Sequence, residues 1–174
     1  RANVVRNHGT FILSPQDAGY YDSSMWEKAK KESDLALKRL INSGLKNTSN
    51  TCILVGTETF NRRWVDYEIF KSVEKGNRIF AVLMHNIKGK DQKTKNLGNN
   101  PLDYLGYATD STGKILSLYY LINGKWESYP DLDGWTVKEF SKNDREKIIR
   151  LSSIYPIYDW VKNDGYNNFK TWVK

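Results

Sequence analysis

Two short apolar runs, separated by a stretch with helical periodicity, constrain the fold of this chain more than any other feature. The runs cover residues 51–55 and 78–84, and a helix is predicted between them over about 62–75, with Gly76 as its terminator. Uninterrupted apolar runs are typical of strands that are covered on both faces, as in a parallel sheet flanked by helices. The chain is therefore predicted to have an α/β fold.

Size and composition narrow the classes of function. The 174 residues suffice for a single domain with a substantial core, and 27 basic against 20 acidic residues give a net charge of +7, which suits an anionic partner. The basic residues are dispersed among acidic ones, which disfavours nucleic-acid binding. One cysteine and two histidines exclude an internal disulfide and argue against a zinc site. Without a membrane-spanning run or a signal peptide in the sequence, a cytoplasmic location is expected.

The region before the first strand is predicted to contain one long helix. Ser24 and Glu27 fit a capping box at its start, and Gly44 is a suitable terminator. The polar segment 10–22 in front of it is predicted to be a plain surface loop, with a lid or an assembly contact as the functional alternative.

The chain after the second strand departs from a simple α/β pattern. The charged segment 88–96 is predicted to be a solvated connection. The dipeptide Asn123-Gly124, between two apolar runs, suits a two-residue type I′ turn and predicts an antiparallel hairpin. Residues 86–135 are therefore interpreted as an insertion that contains this hairpin.

The C-terminal part, residues 136–174, is predicted to be helical and to belong to the same domain. Ser141 or Asn143 is suited to cap a helix that runs through Ile149. The segment 154–173 is dense in aromatic residues, which usually anchor a terminal helix to the body of a domain.

A carboxylate and an indole lie on one side of the helix predicted over 62–75. At 100° per residue, Glu68 lies about 100° from the centre of the apolar face, at the border with solvent, and Trp64 lies on the same side. A carboxylate in a cleft can stabilise an oxocarbenium-like transition state during cleavage of an N-glycosidic bond, and an indole can stack on the leaving base. Spacing alone favours a plainer interpretation, in which Glu68 is solvated and pairs with Lys71 and Trp64 is a core aromatic.

The start of the same helix offers a place for an anion. Asn61, or Thr59 before it, is suited to cap the helix. Arg62 then lies beside the backbone N–H groups at the positive end of the helix, which favours a pyrophosphate at this position.

The pattern Thr57-x-x-Phe60-x-x-x-Trp64-Val65-x-x-Glu68 resembles the sequence around the catalytic glutamate of TIR domains. Other segments resemble TIR-like proteins, and in particular the TIR proteins of the bacterial Thoeris anti-phage system, namely residues 4–8, 26–31, 37–42, 59–65, 101–107 and 158–167. The resemblance covers essentially the whole chain.

This resemblance implies a flavodoxin-like TIR domain, with a mainly parallel central sheet flanked by helices, extended by the β-hairpin and the C-terminal elements. It also implies an infection-triggered enzyme that cleaves NAD as its substrate, needs no further cofactor and makes a cyclic ADP-ribose-type messenger. The messenger would activate a partner effector of the ThsA type. By position, Glu68 becomes the catalytic carboxylate and Trp64 the neighbour of the nicotinamide, while Phe60 and Arg62 lie beside the same pocket.

Two consequences of the resemblance concern what completes the site. Residues 1–8 correspond to the stretch that follows the first central strand of TIR domains, so this strand is expected to be missing from the sequence. TIR enzymes often complete their pocket from a neighbouring subunit, so self-assembly, low activity of the isolated chain and a phage component as trigger are expected. The alternative function is a non-catalytic adaptor that signals by assembly alone.

Overall fold

The structure, a computed structural model, describes residues 1–10 and 23–174. In this part of the chain the elements follow in the order α1 (Ala2–Thr10), α2 (Ser23–Glu32), α3 (Asp34–Leu45), β1 (Asn50–Val55), α4 (Arg63–Lys75), β2 (Arg78–Leu83), β3 (Leu105–Thr109), β4 (Ile115–Ile122), β5 (Lys125–Ser128), β6 (Trp135–Thr136), β7 (Ile149–Arg150), β8 (Ile157–Asp159) and α5 (Gly165–Trp172). A parallel sheet has the strand order β1-β2-β8 and is flanked by helices. The predicted α/β fold is confirmed.

The parallel sheet separates two hydrophobic cores. Side chains alternate along β1, so Ile53 and Val55 pack on the face that is covered by α4. Cys52 and Leu54 point to the other face, where α1 and α5 cover the sheet. Both faces are therefore shielded from water, which explains why the two runs are apolar at nearly every position.

Two helices, α2 and α3, replace the single helix that was predicted before β1, so that prediction is wrong. They meet at Ser33, which has an extended backbone and whose Oγ accepts a hydrogen bond from the Ala36 N–H at 3.1 Å. This side chain caps α3 and ends α2, because a capping serine competes with continued helix. The predicted capping box is not tested, because the Ser24 side chain lies outside those that the structure describes.

Helix α4 has the predicted extent and ends at Gly76, whose φ of 77° is the left-handed cap that glycine adopts without strain. On its apolar face, Ile69 is fully buried, and Val65 and Val73 pack against the same core. The helix is buried over a wider arc than predicted because α3 and a second sheet cover its other side. This adds Tyr67, Phe70 and Ser72 to its buried residues.

The predicted hairpin is confirmed as β4 and β5, with positive φ at both Asn123 (49°) and Gly124 (77°), as a type I′ turn requires. It belongs to a larger antiparallel sheet of order β5-β4-β3-β7, to which β6 adds by pairing with β4. The inner face of this sheet, including Leu116 and Leu118, packs on the core beneath α4.

The prediction of a helix that runs through Ile149 is wrong. Only a short 3-10 turn, Lys142–Asp144, forms there, and Ile149 lies in β7. Glu146 has a φ of 55°, which interrupts any helix at this point.

The aromatic-rich terminal segment does supply a docked helix, α5, with Phe169 and Trp172 buried. No helix in the described ranges combines the length and the apolar character needed to cross a bilayer.

Asp131, in the loop after β5, ties the antiparallel sheet to the helices. Its carboxylate accepts hydrogen bonds from Arg63 Nε and Nη2 at 2.7 and 2.6 Å, and Lys38 Nζ lies 3.1 Å from Oδ1. The Asp131 side chain is only 6% exposed. The Arg63 guanidinium, followed by Lys38, lowers the pKa of this carboxyl to about 2.

We expect Asp131→Asn to lower the free energy of unfolding by on the order of 1–2 kcal/mol at neutral pH, because the shielded ion pairs are lost. The pKa of Asp131 is lower in the folded than in the unfolded chain, so its stabilisation is fully present above the ordinary value of 3.8 and is lost as pH falls towards about 2. Urea unfolding at neutral and acidic pH measures this. Asp133→Asn, at an exposed position in the same loop, is the control. An Asp131→Asn effect that stays constant with pH would contradict the prediction.

Candidate functional site

A cavity of about 640 Å³ opens at the carboxyl ends of β1 and β2. Ligands of open α/β sheets bind outside the carboxyl ends of the strands, and the volume is in the range of small-molecule sites. Its lining includes three basic residues, Arg6, Arg62 and Lys95, and one acidic residue, Glu58. The positive balance of these charges favours an anionic ligand.

The loop between β1 and α4 forms the floor of this cavity and is held in shape by Thr59. The Thr59 hydroxyl accepts a hydrogen bond from the Gly56 N–H at 2.8 Å and donates one to the Leu54 carbonyl at 3.2 Å. The N-cap position of α4 belongs to Arg62, without a side-chain cap bond. The prediction that Thr59 caps this helix is therefore wrong, because Thr59 is engaged within the loop. The alternative cap, Asn61, has its side chain outside those that the structure describes.

Glu68 lies on α4 with its side chain accessible to solvent. Enough protein nevertheless surrounds the carboxylate for desolvation to raise its pKa above the ordinary value, and the positive charge of Arg6 partly offsets this. An accessible side chain in such dense surroundings lies in a concave part of the surface. The effect of Arg6 on this pKa places its positive charge in the neighbourhood of the Glu68 carboxylate, although α1 and α4 cover opposite faces of the sheet.

The pairing of Glu68 with Lys71, which spacing alone favoured, does not occur. Lys71 forms an ion pair with Glu74 instead. Within the described residues, the Glu68 carboxylate makes no hydrogen bond or ion pair at contact distance. It is therefore available to a ligand.

Buried hydroxyl groups fix the turn of α4 that carries Glu68. Ser72 donates a hydrogen bond from its Oγ to the Glu68 carbonyl at 2.7 Å, and Thr51 on β1 donates to Ser72 Oγ at 2.8 Å. Asn77 completes the chain by donating from Nδ2 to Thr51 Oγ1 at 3.1 Å. These contacts link the backbone at Glu68 to β1, so the carboxylate projects from a rigid part of the helix.

The two predicted aromatic site residues are half-buried and do not line the cavity. Trp64 packs with Tyr67 against α3, and the Arg63 guanidinium lies over its ring at 4.6 Å from the centroid. Phe60 contacts the ring of Tyr104, with centroids 5.2 Å apart. Both rings therefore have packing partners of their own.

Of the predicted site residues, Arg62 is the one that lines the cavity. Its side chain is 65% exposed and approaches Glu58 at 3.9 Å, a distance at which an exposed pair contributes little. Its charge thus remains available to an anionic ligand.

Sequence reasoning missed three residues that line the cavity. Arg6 lies on α1, outside every motif except the N-terminal similarity, and Lys95 and Asn96 end the segment that was predicted to be a solvated connection. Only the fold brings these distant positions together. The single cysteine, Cys52 on β1, is half-buried, and desolvation and the negative charge of Glu68 raise the pKa of its thiol. A thiol that stays protonated in this way is a poor nucleophile.

Comparison with known proteins relates this site to one family. Residues 3–89, which include Glu68 and its helix, match the TIR-like domain of the Thoeris protein ThsB. The chain is also 54% identical over 174 residues to a Bacillus cereus (strain MSX-D12) protein named as a cyclic ADP-D-ribose synthase, ThsB1. That match covers 99% of this chain and 91% of the relative.

Proposed function

Since this chain belongs to the TIR-like domain family of the Thoeris protein ThsB, we propose that it cleaves NAD, releases nicotinamide and forms a cyclic ADP-ribose-type messenger in anti-phage defence. The observation that carries the proposal is the Glu68 carboxylate, which is accessible and unpaired in the described structure and is influenced by the charge of Arg6, a residue that lines the basic cavity at the carboxyl ends of the strands. A dinucleotide pyrophosphate is an anion that suits the charges of Arg6, Arg62 and Lys95.

The reaction begins when the bond between C1′ of the ribose and the nicotinamide nitrogen breaks, with its electron pair leaving on nicotinamide. Positive charge then develops on the ribose, and the ionised Glu68 carboxylate stabilises it. Desolvation strengthens this interaction but disfavours the ionised carboxylate, whereas the nearby charge of Arg6 favours it. Glu68 therefore acts on the ribose, and Arg6 acts on Glu68 by favouring its ionised state.

Trp64 and Phe60 remain proposed neighbours of the substrate. Trp64 is one helical turn before Glu68 on the same side of α4, and its half-buried ring retains accessible surface. An accessible indole beside the carboxylate suits stacking on the departing nicotinamide. Phe60, in the loop that leads into α4, completes the aromatic side of the proposed site.

The proposal extends to the partners of the reaction. The messenger diffuses through the bacterial cytoplasm to a ThsA-type effector, and a phage component triggers its synthesis. Self-assembly of the chain completes the substrate pocket, which explains why an isolated chain would turn over slowly.

The experiment compares infected bacterial cells that carry this protein without the effector, uninfected cells, and infected cells without the protein. Mass spectrometry of lysates then detects new cyclic nucleotides derived from ADP-ribose. We expect a product that appears only when infection and the protein are combined. Protection by the complete system without any such product would instead indicate an adaptor that signals by assembly.

A further inference from the structure

Gly98 holds the segment 95–98, here called the wall segment, against the loop after β1. A Cβ at Gly98 would lie only 2.0 Å from the Gly56 carbonyl oxygen and 2.8 Å from Thr57 Cα. Both neighbours are backbone atoms, so no change of rotamer relieves the contact. Any side chain at this position therefore forces the two backbone segments apart.

The wall segment forms one side of the cavity, which Lys95 and Asn96 line. It is fixed at one end because the Lys95 N–H donates a hydrogen bond to the His85 carbonyl at 3.0 Å. Beyond its other end, Leu102 is fully buried in the main core. Between these anchors, the contact of Gly98 with the loop sets how far the wall lies from the cavity floor.

We propose that the wall segment keeps water away from the reacting ribose and thereby determines whether the product is cyclic or linear. The inference rests on the proposed function and deepens it. Both products share the first step, in which the bond between C1′ and nicotinamide breaks and its electron pair leaves with nicotinamide. The products differ only in which nucleophile then bonds to C1′.

In cyclisation, a hydroxyl of the adenosine ribose in the same molecule forms the new bond to C1′ and releases its proton. In hydrolysis, a water molecule forms the bond and releases a proton, which gives linear ADP-ribose. The intramolecular route is favoured when the dinucleotide is held folded and water is excluded. A wall that Gly98 holds close to the floor meets both conditions, and an open wall admits water.

The test uses Gly98→Ala in the full chain, purified from infected cells and incubated with NAD in water enriched in ¹⁸O. Nicotinamide, cyclic product and ADP-ribose are quantified by mass spectrometry. We expect the ratio of ADP-ribose to cyclic product to rise by about fivefold or more, because solvent competes with the tethered hydroxyl. The additional ADP-ribose should carry one ¹⁸O atom, which directly reports capture by water.

Gly134→Ala is the matched control, because a Cβ there would lie 2.3 Å from the Leu116 carbonyl oxygen, also backbone, but in the antiparallel sheet and outside the cavity lining. It should lower stability without changing the product ratio. Asn96→Ala removes a wall side chain without forcing the backbone, should shift the ratio in the same direction, and decides the test if Gly98→Ala does not fold.

An unchanged ratio in folded Gly98→Ala, or in Asn96→Ala where the first variant does not fold, overturns the inference while leaving the proposed function intact. Absence of nicotinamide release by the wild-type protein from infected cells has a different meaning. It would overturn the proposed function, and this inference with it.

Discussion

Glu68→Gln is expected to remove the cyclic product from infected cells, with at least a 10²- to 10³-fold loss of nicotinamide release, on the order of the effect of deleting one preorganised electrostatic group. The amide keeps the size of the side chain but cannot carry the negative charge that opposes the positive charge on the ribose. Because the carboxylate is accessible and makes no contact at bonding distance within the described structure, its replacement leaves no new buried partner unsatisfied. The loss should therefore appear in turnover and not in stability.

Glu74→Gln is the matched control for this substitution. It makes the same chemical change on the same helix, at an exposed position whose carboxylate pairs with Lys71. Loss of such an exposed pair changes stability by at most about 1 kcal/mol and should leave product formation intact. Thermal unfolding of both variants, together with mass spectrometry of the product, separates the two effects. Undiminished product from Glu68→Gln would assign the chemistry to another residue.

The central part of the fold was predictable because local and tertiary signals agree there. The runs that became β1 and β2 are apolar at nearly every position, and Gly76 ends α4 where a left-handed residue is needed. The turn at Asn123-Gly124 was equally determined by its own residues. In these places, burial on both faces or a single backbone requirement leaves few alternatives.

The errors arose where a local signal was ambiguous. Ser33 breaks the predicted helix before β1, although helical periodicity continues across it. Near Ile149, cap-like residues precede a strand, because Glu146 adopts a positive φ and the strand pairs with β3. Tertiary pairing overrides propensity in segments this short.

In the candidate site, too, the residues that could be predicted are those that belong to a local sequence pattern. Glu68 and Arg62 belong to a continuous stretch with a recognisable pattern, so both could be named from the sequence. Arg6 and Lys95 come from two other segments, and their meeting at the cavity depends on how the chain returns past the end of β1. A charged run carries no indication of which of its lysines faces inward.

Arg6→Gln provides the second strong test, since Arg6 lines the cavity and its charge acts on Glu68. Removing a charged donor to a phosphate costs about 1.5–3 kcal/mol, so the KM for NAD should rise roughly 10- to 100-fold. The pH profile should change as well. Glu68 must be ionised to act, so activity is lost as pH falls through its pKa.

Burial raises the pKa of Glu68, and the charge of Arg6 lowers it. In Arg6→Gln the pKa of Glu68 should therefore be still higher, and activity should be lost at a higher pH than in the wild type. The measurement is kcat/KM for nicotinamide release against pH, in protein purified from infected cells. Arg39→Gln is the control, because Arg39 is an exposed arginine on α3 outside the cavity lining. It should change neither the KM for NAD nor the pH at which activity is lost. A raised KM with an unshifted acid limb would restrict Arg6 to binding the pyrophosphate. A shifted limb would show that the same guanidinium also keeps the catalytic carboxylate ionised.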